Sequence, residues 1–221
     1  MQFDVSYMLE LFPTVAKYLH VTLSMAAIAT LAALTIGLAV ALVKVFKVRG
    51  LSPLCDLYLS FFRGTPLLVQ MFLLYYGLPQ LLPVLKGLDA FTAAIIALSL
   101  HFAAYMAESM RGAIISVDEN QMEAALSIGM SQGQAMRRIV LPQATRGAIP
   151  ALMNNTIDLL KSTSLAFTLG VAEIMAKAQM EAASSFKFFE SFLVVACIYW
   201  FLVVLMVRIQ SLLENKLGEA Y

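Results

Sequence analysis

Apolar positions along the chain fall into five long runs separated by short polar intervals. The runs cover about 18–45, 54–85, 91–115, 149–171 and 188–212. Each reaches the roughly 20 mostly apolar residues that a helix needs to cross a bilayer. The pattern predicts an all-α membrane protein with about five transmembrane helices. Residues 1–221 read as a single transmembrane domain, with one long polar segment, 116–148, between the third and fourth helices.

The second run is too long for a straight span. At the α-helical rise it would reach about 48 Å, against a hydrocarbon core of about 30 Å. Gly64 and Pro66 offer a break. Part of 51–62 is expected at or below the cytoplasmic interface.

Basic residues orient the bundle. One side collects Lys44, Lys47, Arg49, Arg111, Arg137, Arg138, Arg146, Arg208 and Lys216. The other collects Lys17, Lys86, Lys177 and Lys187. The first side is therefore expected in the cytoplasm, with the N-terminus outside and the C-terminus inside. The polar segment 116–148 then faces the cytoplasm. Asp4 and Glu10, and the lack of a basic start, argue against a cleaved signal peptide.

Composition agrees with a bilayer setting. Hydrophobic residues make up 61% and charged residues 13%, where soluble domains carry about 45–50% and 25%. Mean hydropathy is +0.81. A net charge of +1 with no basic block argues against a nucleic-acid partner. Cys55 and Cys197 stand apart and suggest neither a disulfide framework nor a metal site. His20 and His101 are isolated and read as packed helix residues. Met71, Met106 and Met153 read as core filler.

Within the polar segment, Glu123-Ala124-Ala125-Leu126-Ser127-Ile128-Gly129 is followed by Ile139-Val140-Leu141-Pro142. Good helix formers at 123–125, a permissive Gly129 and Pro142, which lacks a backbone donor and typically opens the next helix, predict a short helix, a sharp turn and a second short helix that stops at Pro142. Taken alone, this is equally an ordinary helical hairpin between two spans.

The same residues resemble the loop signature of ABC importer permeases: Glu123, Ala124, Ala125, Gly129, Ile139, Leu141 and Pro142 fall at its spacing. The resemblance extends to Phe62-Arg63-Gly64-Thr65-Pro66-Leu67-Leu68-Val69-Gln70, to Ala103-Ala104-Tyr105-Met106-Ala107-Glu108-Ser109-Met110-Arg111-Gly112 and to Leu160-Lys161-Ser162-Thr163-Ser164-Leu165. These look like the second-, third- and fourth-helix motifs of the polar amino acid uptake branch. The resemblance implies a bacterial inner-membrane permease that moves an amino acid. It implies that Glu123, Ala124, Ala125 and Gly129 belong to a coupling helix that docks on an ATPase subunit, present in two copies. It also implies a second permease chain, same or similar, and an extracytoplasmic substrate-binding protein. Many relatives carry an acidic residue where this chain has Ser162, which turns the expectation away from a cationic substrate. Cystine or another neutral or zwitterionic amino acid is expected instead.

Polar residues inside membrane helices are costly and tend to face a bundle interior or a wet cavity. On the fourth helix Asn154, Asn155, Asp158, Lys161 and Ser162 fall within an arc of about 120°, at about 100° per residue, with Thr168 beside them. This stripe is a candidate lining for a translocation pathway or a seam to a second chain; its alternative is polar glue between helices. Arg63 either offers a fork to a substrate carboxylate or is structural, snorkelling or pairing with Asp56 or Glu108. Glu108 either pairs with Arg111 or faces the cavity. Thr65 and Gln70 are candidate cavity residues.

No G-x-x-x-x-G-K-[ST] phosphate loop occurs, because Lys161-Ser162 follows Leu160. No cofactor is expected in this chain; ATP and Mg are expected on the partner ATPase, so the chain reads as a transport subunit and not an enzyme. An ion-gradient-driven secondary transporter is the competing reading, but such folds often show internal repeats and none is evident. An intramembrane enzyme would need a nucleophile–base or metal constellation, and His101 with Ser109 is poorly spaced for one.

Overall fold

Small side chains decide how closely two membrane helices can approach, and they set the axis of this fold. The computed structural model describes residues 3–218. In it the helices α2 (Leu19–Val45) and α6 (Ala90–Ile115) form the most extensive helix pair. On α2, Ala29, Ala33, Gly37 and Ala41 recur every fourth residue and are buried. Gly37 marks the tightest point: a Cβ there would lie 3.1 Å from the Ala103 carbonyl oxygen and 3.2 Å from the Ala107 nitrogen. Ala93, Ala97, Ala103, Ala104 and Ala107 line the facing helix. The helix α9 (Leu141–Ser162) packs against α6 on another side.

Among the described residues the structure is helical, with no strand. Three helices are long and apolar enough to cross a membrane alone: Leu19–Val45, Ala90–Ile115 and Phe188–Lys216. The last belongs to α11 (Phe188–Gly218). Two further spans are bent pairs, which brings the total to five when each pair counts once.

The first bent pair replaces the single second helix that the hydrophobic run suggests. The helix α3 (Leu51–Gly64) stops, Thr65 and Pro66 take extended backbone, and the chain restarts at 111° as α4 (Leu67–Phe72), a π-helical turn and α5 (Leu78–Leu81). Proline removes a backbone donor and clashes with the preceding turn, and it pushes the residue before it into extended conformation. Neither half alone spans about 30 Å.

In the second pair, α9 and a 3₁₀ segment (Thr163–Leu169) bend by 53° into α10 (Ile174–Ser185). Gly170, at φ +92°, makes the turn. The helix therefore begins well before residue 149. Pro142 does not end a separate cytoplasmic helix either: α8 (Gln132–Ala135) runs through a π-helical turn (Met136–Val140) directly into α9. Both π turns lie just before a proline, Pro79 and Pro142, and each ends with a wide hydrogen bond, from Leu78 to Leu73 and from Leu141 to Met136. The wider turn makes room for the proline ring.

At one end the short helix α1 (Val5–Ala16) docks on α10 and α11. Lys187 Nζ lies 2.5 Å from Asp4 Oδ2, Tyr7 Oη 2.9 Å from Ser185 Oγ, and the Asp4 amide donates to Glu190 at 3.2 Å. Lys187, with Ser6 and the Tyr7 amide, holds the Asp4 carboxyl well below the usual carboxylate range.

Candidate functional site

The residues singled out by the sequence fall into three places. The first is the helix α7 (Glu119–Ser127), between α6 and α8. Asp118 caps its start by accepting from the Asn120 amide at 2.9 Å. Its end is closed by two backbone bonds, Met130 to Ala125 at 3.1 Å and Gly129 to Leu126 at 3.0 Å. That double closure needs a left-handed residue, and Gly129 supplies it at φ +85°. Ala125 is buried on the side of α7 that packs on α8 and the π-helical turn that follows it, whereas Glu123, Ala124 and Gly129 are exposed. The outer face also carries apolar side chains: Leu126 is 45% and Ile128 74% exposed.

The second place is the α3–α4 break. Thr65 Oγ1 donates to the Phe61 carbonyl at 2.8 Å. Gln70 is only 5% exposed; its Nε2 lies 3.0 Å from the Phe62 carbonyl, 3.1 Å from the Thr65 carbonyl and 2.7 Å from Thr65 Oγ1. His101 Nδ1 lies 2.9 Å from Gln70 Oε1. The polar atoms of both candidates are thus engaged within the protein.

The third place is a polar band across α3, α6 and α9. Arg63 Nη1 lies 3.7 Å from Glu108 Oε2 and its guanidinium stands 5.8 Å from the Tyr105 ring centre. Glu108 receives two bonds from Arg111, at 2.9 and 3.0 Å. Next on α6, Ser109 accepts from Asn155 Nδ2 at 3.0 Å. Further along α9, Asp158 and Lys161 pair at 2.6 Å with more than half of each side chain exposed, and Ser162 donates to the Asp158 carbonyl at 2.8 Å. Asn154 is exposed as well. The structure therefore joins Arg63 with Glu108, and Asn155 with α6, and leaves Asn154, Asp158 and Lys161 on a polar face that this chain does not cover.

One residue escaped the sequence reading. Glu173, wholly buried, caps α10 through the Ala176 amide at 2.8 Å. Thr22 on α2 and Tyr199 on α11 both reach its Oε2 at 3.5 Å. The available signal was a single carboxylate inside an apolar stretch, beside Gly170. Among the described residues no group of acidic, histidine or cysteine side chains could hold a metal ion.

Comparison with known proteins places this arrangement. The family model for the binding-protein-dependent transport system inner membrane component matches residues 14–219. The chain is 62% identical to the probable amino-acid ABC transporter permease protein PatM of Vibrio harveyi, over 100% of this chain and 99% of that one. It is 39% identical to the L-cystine transport system permease protein TcyL of Bacillus subtilis (strain 168), over 92% and 87% respectively. The crystal structure of an amino acid ABC transporter with histidines superposes with a TM-score of 0.90 at 33% identity, over 98% of this chain and 100% of that chain.

Proposed function

The chain belongs to the binding-protein-dependent transport system inner membrane component family, as the permease subunit of an amino acid ABC importer, and from that premise we propose how its parts work. Glu123, Ala124, Ala125 and Gly129 form the coupling helix, which docks on a separate ATPase subunit. ATP and Mg act there, and closure of an ATPase pair is transmitted through α7 to the bundle. The observation that carries this reading is the uncovered face of α7. Leu126 and Ile128 stand in the open beside Glu123 on a helix whose other face is packed, and such a face needs a partner.

The exposed stripe of Asn154, Asp158 and Lys161, with Asn155 and Ser162 at its edge and Arg63 and Glu108 beside it, lines the translocation pathway. A second permease chain, same or similar, completes the wall. An extracytoplasmic binding protein delivers the substrate. The basic residues near 44–49 and 137–146 put α7 in the cytoplasm, with the N-terminus outside and the C-terminus inside. The cargo is a neutral or zwitterionic amino acid, cystine being the leading candidate. Two points support it: Ser162 is uncharged, and one relative is named as an L-cystine transport system permease protein.

The test is purification of the tagged chain in mild detergent with mass spectrometry of its companions, alongside uptake in proteoliposomes. An ATPase subunit should co-purify, should be lost when Glu123 and Leu126 are replaced by Ala and Lys, and should be required for uptake. A partnerless chain that moves solute on an ion gradient would instead establish the secondary-transporter reading.

A further inference from the structure

A helix that ends at a proline leaves a carbonyl without its donor. In α3 the Phe62 oxygen would take the amide hydrogen of residue 66, but residue 66 is proline and has none. Buried carbonyls seldom stay unpaired. Here the missing donor comes from a side chain four residues beyond the break: Gln70 Nε2, 3.0 Å from the Phe62 oxygen. Its two hydrogens are shared among that oxygen, the Thr65 carbonyl and the Thr65 hydroxyl. Thr65 Oγ1 already donates to Phe61, so toward Gln70 it accepts. Facing three acceptors, the Gln70 nitrogen must point at the break, and its oxygen must point at His101. His101 then carries its hydrogen on Nδ1, because Gln70 Oε1 can only accept.

His101 sits on α6, half of the close-packed α2–α6 pair. The helix α3 buries less of its surface, and its polar ties to the pair include Tyr58 Oη, which donates to the Leu100 carbonyl of α6 at 2.6 Å, and Asp56, which pairs with Lys44 of α2 at 2.5 Å. Leu59 is its one buried residue, Leu54 and Leu57 stand exposed, and Gly64 has open space where a Cβ would be. At the end of α3, Arg63 meets Glu108 of α6 at a loose 3.7 Å.

We propose that Gln70 and His101 are a hinge latch: His101 fixes the Gln70 amide, and the amide fixes the angle between α3 and α4 relative to the rigid α2–α6 pair. Both are positioning residues. Through that angle they decide whether Arg63, at the tip of α3, stays beside Glu108 or swings away from it. The angle itself stands on the geometry alone; its use in transport rests on the importer reading above.

The test places spin labels at Leu54→Cys and Leu81→Cys, with Cys55 and Cys197 replaced by Ala, in the full chain held in lipid nanodiscs. Pulsed electron resonance should give a narrow distance distribution. Gln70→Leu and His101→Leu should each broaden or shift it. His101→Asn, which sets an amide donor where the imidazole Nδ1 lies, should restore it. With the partner ATPase in proteoliposomes, substrate moved per ATP should fall about tenfold in the Leu variants and recover in His101→Asn. Should Gln70→Leu not fold, Gln70→Asn, one methylene too short to reach both sides, must broaden the distribution instead. Unchanged distances in the Leu variants overturn the latch. So does lost transport with unchanged distances, which would make Gln70 a substrate contact. The distance measurement needs neither ATP nor substrate, so it stands or fails independently of the importer reading.

Discussion

The two bent spans make the same kind of corner by different means. Between α3 and α4 the chain turns 111° because Pro66 withholds a hydrogen bond, and an amide side chain on the far limb supplies it. Between the 3₁₀ segment and α10 it turns 53° at Gly170, and a buried carboxylate, Glu173, gathers the free amides of the new helix. Each corner is then tied to the central pair, one to α6 through His101, the other to α2 through Thr22. The second corner has an additional tie to α11 through Tyr199. The difference teaches which corner is built to move. Glu173 ties α10 to two helices from a wholly buried position, whereas α3 is tied to α2 and α6 through the exposed Asp56 and through Tyr58 and buries only Leu59. On the latch proposal, the proline corner is the hinge and the carboxylate corner is the fixed joint.

Removing the fixed joint should cost most. Glu173→Leu strips α10 of its cap and leaves the Thr22 and Tyr199 hydroxyls without their shared acceptor. About 3 kcal/mol of stability should be lost, read as a lower midpoint of thermal unfolding in detergent. Glu173→Gln keeps an acceptor for the Ala176 amide and should lose about 1 kcal/mol. Equal losses for the two would mean that charge, and not hydrogen bonding, holds the joint.

The shared frame comes next. Gly37→Val puts methyl groups against the Ala103 and Ala107 backbone, which already lies 3.1–3.2 Å from a would-be Cβ. The expected cost is about 2 kcal/mol. It should loosen both corners at once, seen as faster amide exchange in α4 and in α10 together. Loosening confined to one limb would show that the corners do not share the α2–α6 reference.

How much of this was legible follows from where each interaction closes. The turn after the first helix of 116–148 was readable because its chemistry is local: Gly129 acts within a few residues of itself. The first break was readable too, since Gly64 and Pro66 stand side by side. What holds the breaks was not. Gln70 looks like a cavity residue because a polar side chain within an apolar run usually needs water or a neighbour, and periodicity cannot tell which. Its partners, Phe62 and His101, are set by the 111° turn and by the approach of α6. Glu173 passed unnoticed because its reason, a buried helix start created by a tertiary bend and in need of a cap, does not exist in a straight chain. The polar stripe on α9 was visible by its helical spacing; the structure ties one member, Asn155, to Ser109 on α6 and leaves Asn154, Asp158 and Lys161 open.

A pair of opposite substitutions sharpens the contrast with smaller effects. Pro66→Ala returns an amide hydrogen and lifts the restriction on Thr65, so α3 should straighten toward α4 while stability changes by no more than about 1 kcal/mol. Gly170→Ala meets no neighbouring atom, yet must hold φ near +92°. It should lose about 1 kcal/mol by strain alone, with the angle unchanged. Label distances across each corner check both. A rigid proline corner or a mobile glycine corner would reverse the assignment of hinge and joint.

The smallest effect concerns the far end of the fixed joint, where Lys187 follows α10 and grips Asp4. Because the folded-state pKa of Asp4 is depressed, the tether contributes wherever Asp4 is ionised in both states, that is above its unfolded value of about 3.9, and is lost as pH falls from there through the folded value. Between pH 5 and 8 the docking of α1 should therefore be insensitive to pH, and Asp4→Asn should speed amide exchange in α1 by a constant factor across that range. Only on acidification toward pH 3 should the wild-type chain approach the variant. Tyr7 and Ser185 remain bonded in both, so α1 should loosen and not detach. If Asp4→Asn instead mobilised α10 as far as Glu173→Leu does, the joint would depend on its surface tether and not on the buried carboxylate, and the distinction between the two corners would have to be redrawn.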